Sequence, residues 1–131
     1  DAIKDAEISP NEIDAINGHL TATIKDPTEI ENWTKALNRK DDEFPYINSL
    51  KSMVGHCLAA AGAIESVATV LQLKHQFVFP NINCEDVHPD IIKLINKEKI
   101  PTEMIHKELN IIAKASFGFG DVNGCVIFRR Y

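Results

Sequence analysis

The stretch Leu50 to Leu73, LKSMVGHCLAAAGAIESVATVLQL, limits the fold more than any other part of the chain. From Cys57 to Leu73 its one formal charge is Glu65. A helix that is apolar on every side belongs inside a core rather than on a surface. The run before it, Tyr46 to Lys51 (YINSLK), reads as a strand. A strand feeding a buried helix is therefore expected at the centre of the domain. The small residues Ala59 to Ala63 would let another backbone pack very close. His56 stands beside the turn glycine Gly55 at the expected mouth of that helix, where a polar, titratable group is a candidate for chemistry. The apolar run falls short of the ~20 residues a membrane span needs and carries Glu65 near its middle, so no transmembrane segment is expected.

A chain of 131 residues has the size of one ordinary domain. Its 44% hydrophobic and 25% charged content suffice for a core. A net charge of −5 carries no nucleic-acid footprint. The local basic clusters (Lys35, Arg39, Lys40; Lys93, Lys97, Lys99; Arg129, Arg130) read as solvated faces. Cys57, Cys84 and Cys125 form neither an even set nor a CxxC spacing, which argues against a disulfide framework and a zinc site. A reducing, cytoplasmic setting fits best, and no N-terminal targeting signal is seen.

In chain order, Asp1 to Ile8 resembles the end of an amphipathic helix, so the sequence reads as part of a longer protein. Ser9 to Glu12 is a turn. Ile13 to His19 alternates apolar and polar residues as a short strand, placing Asn17 and His19 on one face. A Thr-rich loop, Leu20 to Asp26, precedes a helix from Pro27 to about Asn38, with Asp26 expected at its N-cap. Arg39 to Glu43 is a charged loop. Phe77 to Pro80 is a short extended piece, with Pro80 marking a stop or a sheet edge. Asn81 to Pro89 is irregular, and Ile91 to Glu108, broken by Pro101, shows mixed signals, loop with a little strand or turn. Asn110 to Ser116 is a main strand, Phe117 to Gly120 a glycine-hinged turn, and Gly124 to Tyr131 the last strand. Strands linked by helices should be parallel, and the final pair an antiparallel hairpin. The expectation is an α/β domain with a mixed, five-stranded-type sheet and helices on both faces.

Three points could carry chemistry: NGHLTAT (Asn17 to Thr23), KSMVGH (Lys51 to His56) and SFGFG (Ser116 to Gly120). Each ends a predicted strand, and ligands bind at the carboxyl ends of parallel strands in open α/β sheets. The first two points meet that condition directly, while the direction of the third strand is left open by the sequence. Singly, each has a plain structural explanation: a hydrogen-bonding histidine, a surface lysine, a tight glycine turn and core phenylalanines. Their occurrence together, in this order, around a small-residue helix carries the weight.

On those residues the chain resembles the C-terminal half of a β-ketoacyl-[acyl-carrier-protein] synthase of the Cys-His-His type. The resemblance covers nearly the whole chain. Asn17-Gly18-His19-Leu20-Thr21-Ala22-Thr23 matches the family's N-A-H-G-T-x-T. Lys51 to Gly62 matches K-S-x-x-G-H-x-x-G-A-A-G, and Ala115 to Asp121 matches N-S-F-G-F-G-G. The resemblance implies one half of a thiolase-like fold spanning residues 1–131, with the nucleophilic cysteine in the other half. None of the three cysteines here is expected to replace it. It implies a decarboxylating Claisen condensation, with His19 and His56 donating hydrogen bonds to the malonyl thioester oxygen. Lys51 would have an electrostatic or structural role, anchoring Glu65 or a similar acid near the site. Thr21 and Thr23 would bind the phosphopantetheine arm. Phe119 would contribute an oxyanion-hole N–H and an acyl-pocket gate, with Phe117 beside it. No cofactor is implied beyond the phosphopantetheine of the acyl carrier protein. Expected partners are that carrier, the other half of the synthase, and a second synthase in a homodimer or heterodimer. Asn17, Glu65 and Asn123 match positions that surround a structural cation in some members, but plain hydrogen bonding is the favoured reading and no metal is expected.

Several residues depart from the pattern. Leu20 and Asp121 replace glycines, and Ala115, preceded by Lys114, replaces an asparagine. Leucine at position 20 is expected to crowd the pantetheine path, whereas aspartate tolerates left-handed backbone. These departures fit a divergent synthase of a specialised pathway. The alternative, a non-catalytic partner subunit of the chain-length-factor type, is decided by the residue at the nucleophile position of the other half, and the retained His19, His56 and Lys51 favour the enzyme.

Overall fold

The computed structural model describes residues 1–131. Its elements are, in order, α1 (Ala2–Asp5), β1 (Ala15–Asn17), α2 (Asp26–Leu37), β2 (Tyr46–Asn48), α3 (Lys51–Val54), α4 (Ala61–His75), β3 (Phe77–Val78), α5 (Pro89–Ile92), β4 (Ile105–His106), β5 (Ile111–Phe117) and β6 (Asn123–Arg129). The main sheet has the order β2-β1-β5-β6. Strand β1 is parallel to both β2 and β5, and β5 pairs with β6 as an antiparallel hairpin. The carboxyl ends of β1, β2 and β5 therefore open on one side of the sheet.

The two faces of the sheet follow from strand alternation. Ile16, Ile47, Ala113 and Ala115 face α2 and pack with Ile30, Trp33 and Leu37 in the larger core. Ala15 and Ile112 face the other way and pack with Leu73 of α4. Helices thus cover both faces, as expected.

The main sheet has four strands, not five. β3 pairs instead with β4 in a separate two-stranded ladder. The chain after β3 still runs beside β2, but it is joined there through side-chain amides. Asn81 donates from Nδ2 to the Ile47 carbonyl at 3.1 Å and accepts the Ser49 N–H on Oδ1 at 2.9 Å. Asn48 donates to the Phe79 carbonyl at 3.0 Å. Pro80, lacking an N–H, cannot continue a ladder.

Two further expectations are corrected. Lys51 lies not in a strand but in the one-turn helix α3, which ends at Gly55 with φ +74°, a value that favours glycine. Helix α4 is not enclosed on all sides within this chain. It begins at Ala61, and its buried positions are Ala61, Glu65, Thr69, Gln72 and Leu73. Ile64, Val67, Val70 and Leu71 are exposed, Val67 to 61%. The apolar residues thus face outward because the polar ones are turned onto the sheet.

Candidate active site

The three sequence points converge at the open edge formed by the strand ends. His19 follows β1, and His56 lies in the connection between α3 and α4. Their ring centroids are 5.3 Å apart, edge to face. Phe117, at the end of β5, packs edge-on against His19 at 5.8 Å.

The loop bearing His19 is held by two carboxylates from the first turn of α2. Glu29 accepts the backbone N–H groups of His19 at 2.8 Å and Leu20 at 2.9 Å, and the Trp33 indole N–H at 3.3 Å. Gly18 leaves room for this: a Cβ there would sit 2.9 Å from Glu29 Oε1. Burial pushes the Glu29 carboxyl up from its ordinary value, while the two backbone donors oppose that shift. Asp26 is not the expected N-cap. It lies inside the helix, and its carboxylate accepts from the backbone of Thr21 at 3.1 Å and Ala22 at 3.0 Å. Sequence reading gave Asp26 only a capping role and passed over Glu29. Two acids three residues apart, just after a candidate histidine loop, were the available signal.

His56 is exposed, and its Nδ1 accepts the Leu58 N–H at 3.0 Å. That bond assigns the ring proton to Nε2, leaving a donor free. The helix N-terminus expected beside His56 is displaced, since α4 starts only at Ala61. Burial holds the His19 imidazole below its usual titration range, with the Lys51 ammonium and His56 adding to the effect and Glu65 opposing it. Its Nδ1 is buried without a hydrogen-bond partner in the chain.

Behind the histidines lies a buried ion network. Lys51 pairs with Glu65 Oε1, one of the acids the resemblance allowed for it. Lys114 of β5 pairs with Glu65 Oε2 at 2.5 Å, an ion pair that sequence reading missed. The Lys51, Glu65 and Lys114 side chains are only 6%, 1% and 3% exposed.

Other candidates are placed differently. Thr21 and Thr23 share a hydrogen bond at 3.2 Å on the exposed loop. Phe119 sits at the tip of the β5–β6 turn with its ring fully exposed. Asp121 adopts φ +59° there, so the aspartate takes the left-handed backbone foreseen for it. Leu20 has no positive φ; that conformation falls on Ala22. The Leu20 side chain packs against the larger core beside Gly18. Asn17 donates to the Glu65 carbonyl at 3.1 Å and to Thr69 Oγ1 at 2.9 Å. The carboxylate of Glu65 is taken by lysines, while Asn123 is exposed on β6 opposite Phe117. Of these three residues, Asn17 and Glu65 are joined by a hydrogen bond. Burial pushes the Cys84 thiol up, which disfavours the thiolate a nucleophile needs.

Residues 1–85 match the family model described as Beta-ketoacyl synthase, C-terminal domain. The chain is 34% identical to the chloroplastic 3-oxoacyl-[acyl-carrier-protein] synthase I of Hordeum vulgare, a match covering 99% of this chain and 27% of that protein. Among solved structures it resembles the ishigamide ketosynthase/chain length factor, with a TM-score of 0.86, 28% identity, and coverage of 98% and 30% of the two chains. It also resembles AntDE:AntF, described as a type II acyl-carrier protein in complex with its ketosynthase. That match has a TM-score of 0.81, 34% identity, and coverage of 98% and 31%. The chain therefore spans about a third or less of the length of these relatives. No helix is long and apolar enough to cross a membrane. With the family model matched over most of the sequence and the histidine loops meeting at the strand ends, this chain belongs to the β-ketoacyl synthase family, as its C-terminal domain.

Proposed function

We propose that this chain is the C-terminal part of a 3-oxoacyl-[acyl-carrier-protein] synthase and supplies the hydrogen-bond donors of its condensing site. The observation that carries the proposal is the pair of imidazoles, His19 and His56, 5.3 Å apart at the carboxyl ends of parallel strands. In the complete protein an acyl group would rest on a cysteine outside these residues. The malonyl thioester would then break its bond to the carboxylate and release CO₂. The electron pair left behind gives an enolate, whose carbon attacks the acyl thioester and expels the cysteine thiolate. Negative charge gathers on the malonyl thioester oxygen, where the free Nε2–H of His56 and the ring of His19 would donate. The depressed titration of His19 favours the neutral ring such a donor needs. Thr21 and Thr23 would line the pantetheine path, and Phe117 and Phe119 the acyl entrance.

The exposed apolar side of α4 would pack against the rest of the synthase, which accounts for the larger part of the length of its relatives. The carrier partner is an acyl carrier protein, as in the AntDE:AntF complex, and a homodimer or sister-subunit dimer completes the assembly. A cytoplasmic location is the reading here, beside the chloroplastic one named for the barley relative. The isolated chain, lacking a nucleophile, should turn over nothing.

The test is His19→Ala and His56→Ala in the complete synthase, followed by malonyl-thioester decarboxylation. Removing one preorganised donor should lower kcat by roughly 10²–10³. An undiminished rate in either variant sinks the reading for that residue. A second reading, a non-catalytic chain-length-type subunit, is favoured by the likeness to the ishigamide ketosynthase/chain length factor and by Ala115 replacing the family's asparagine. Trapping of an acyl group on a cysteine of the complete protein supports the enzyme, and its failure supports the subunit.

A further inference from the structure

Lys114 has no role in the reading above. It sits in β5 between Ala113 and Ala115, both of which face the α2 core, so strand alternation turns it to the α4 side. Lysine is among the residues least often buried, and a buried ammonium keeps its charge only when paired and hydrogen-bonded. This one meets Glu65 Oε2 at 2.5 Å and Ser116 Oγ at 2.6 Å, and it also donates to the Ala115 carbonyl. The other oxygen of Glu65 belongs to Lys51. One buried carboxylate thus faces two ammonium groups, and the trio carries a positive charge in excess. A structural ion pair would be complete with one lysine, and a second adds a further desolvation cost.

We propose that Lys114 is a positioning residue of the condensing site: it ties the Lys51–Glu65 pair behind His19 to the strand end that carries Ser116 and Phe117, and it supplies the surplus positive charge that His19 faces. The proposal rests on the reading of His19 as a neutral donor to the thioester oxygen. The charged and titratable groups around His19 are Lys51 from α3, Glu65 from α4, Lys114 from β5 and His56 from the α3–α4 connection, with Glu29 of α2 beneath its backbone. Lys51, His56 and Lys114 disfavour a proton on the ring, and Glu65 favours one. With a single lysine, the carboxylate would be only balanced; with two, the network repels a third cation.

The test uses the complete synthase carrying this chain, as Lys114→Met and Lys114→Arg. It reads the pH dependence of malonyl-thioester decarboxylation and the NMR titration of the His19 ring. The methionine variant should lose kcat most on the acid side, by roughly tenfold for each unit by which the His19 titration rises. KM should stay within about twofold, since the change acts on donor protonation rather than on uniform substrate binding. The arginine variant should keep both the pH profile and the titration near those of the unaltered protein. A loss equal at every pH, with His19 titrating as before, assigns Lys114 to packing and overturns the proposal. If the methionine variant does not fold, the unaltered protein decides. The ¹⁵N resonance of the Lys114 ammonium should inflect where His19 titrates, and its absence overturns the proposal. Failure of the functional reading is distinguishable: His19→Ala would then decarboxylate normally, while the Lys114–His19 coupling would still be judged by NMR.

Discussion

Helices α2 and α4 flank the same sheet and bury opposite kinds of residue. Helix α2 turns Ile30, Trp33 and Leu37 inward and leaves its Glu31–Lys35 pair in solvent at 2.7 Å. That is the usual arrangement of a surface helix. Helix α4 turns Glu65, Thr69 and Gln72 inward and leaves Ile64, Val67 and Val70 outside. The first helix is held by apolar burial. The second is held to the sheet largely by polar bonds: Lys51 and Lys114 on Glu65, Asn17 on Thr69, and Asn48 on Gln72 at 2.9 Å. The difference separates two duties. The α2 side supplies stability and cradles the His19 loop from below, through Glu29. The α4 side carries the electrostatics behind the histidines and keeps an apolar face for the remainder of the synthase.

The strongest way to break this comparison is to remove the central residue on each side and measure unfolding by denaturant. Glu65→Ala would leave Lys51 and Lys114 as unpaired like charges in the interior and should cost about 3–5 kcal/mol. Trp33→Ala should cost a similar ~3–5 kcal/mol, there through a cavity. The mechanisms separate on repair: Glu65→Gln should recover little, because the charges remain uncompensated, whereas Trp33→Phe should recover much. A repair pattern common to both sides would refute the division of duties.

A smaller effect is expected from pH. His19 is harder to protonate in the fold than in the unfolded chain, whose value is about 6.5. Between the depressed folded value and 6.5 the unfolded state binds more protons, so stability rises with pH across that window and is lost as pH falls. His19→Gln should flatten that part of the stability curve; an unchanged slope would mean that burial of the ring is less complete than the geometry implies.

The smallest effect sharpens the contrast. Val67→Ser, on the open face of α4, should change the stability of this chain by no more than ~0.5 kcal/mol. In the complete synthase the same change should weaken it severalfold more, because the face would then be covered. Equal effects in the two settings would leave that face without a partner.

Much of the architecture was legible. The β5–β6 hairpin, the parallel crossovers, the existence of the helix after the histidine loop and the meeting of three strand-end motifs follow from patterning and chain connectivity. What escaped has physical reasons. Total apolarity predicted a helix enclosed on every side, but hydropathy does not say which part of the whole protein encloses it. The stripe Glu65, Thr69 and Gln72, at i, i+4 and i+7, was present and marks one face of α4. No turn residue separates Lys51 from β2 in YINSLK, so the run reads as one strand; the chain instead coils into α3. Lys114 was noted only as a neighbour of Ala115. A single lysine in an otherwise apolar strand could have been read as a buried charge needing a partner.

The amide bonds of Asn81 along β2 have a consequence for the sheet as a surface. The Ile47 carbonyl and the Ser49 N–H point away from β1, the kind of groups through which an exposed edge recruits another strand. Asn81 occupies both with one side chain, acting as a strand one residue long. Growth of the sheet is blocked on that side without a further ladder, so a chain with an open apolar helix is not also open to edge-to-edge association through β2.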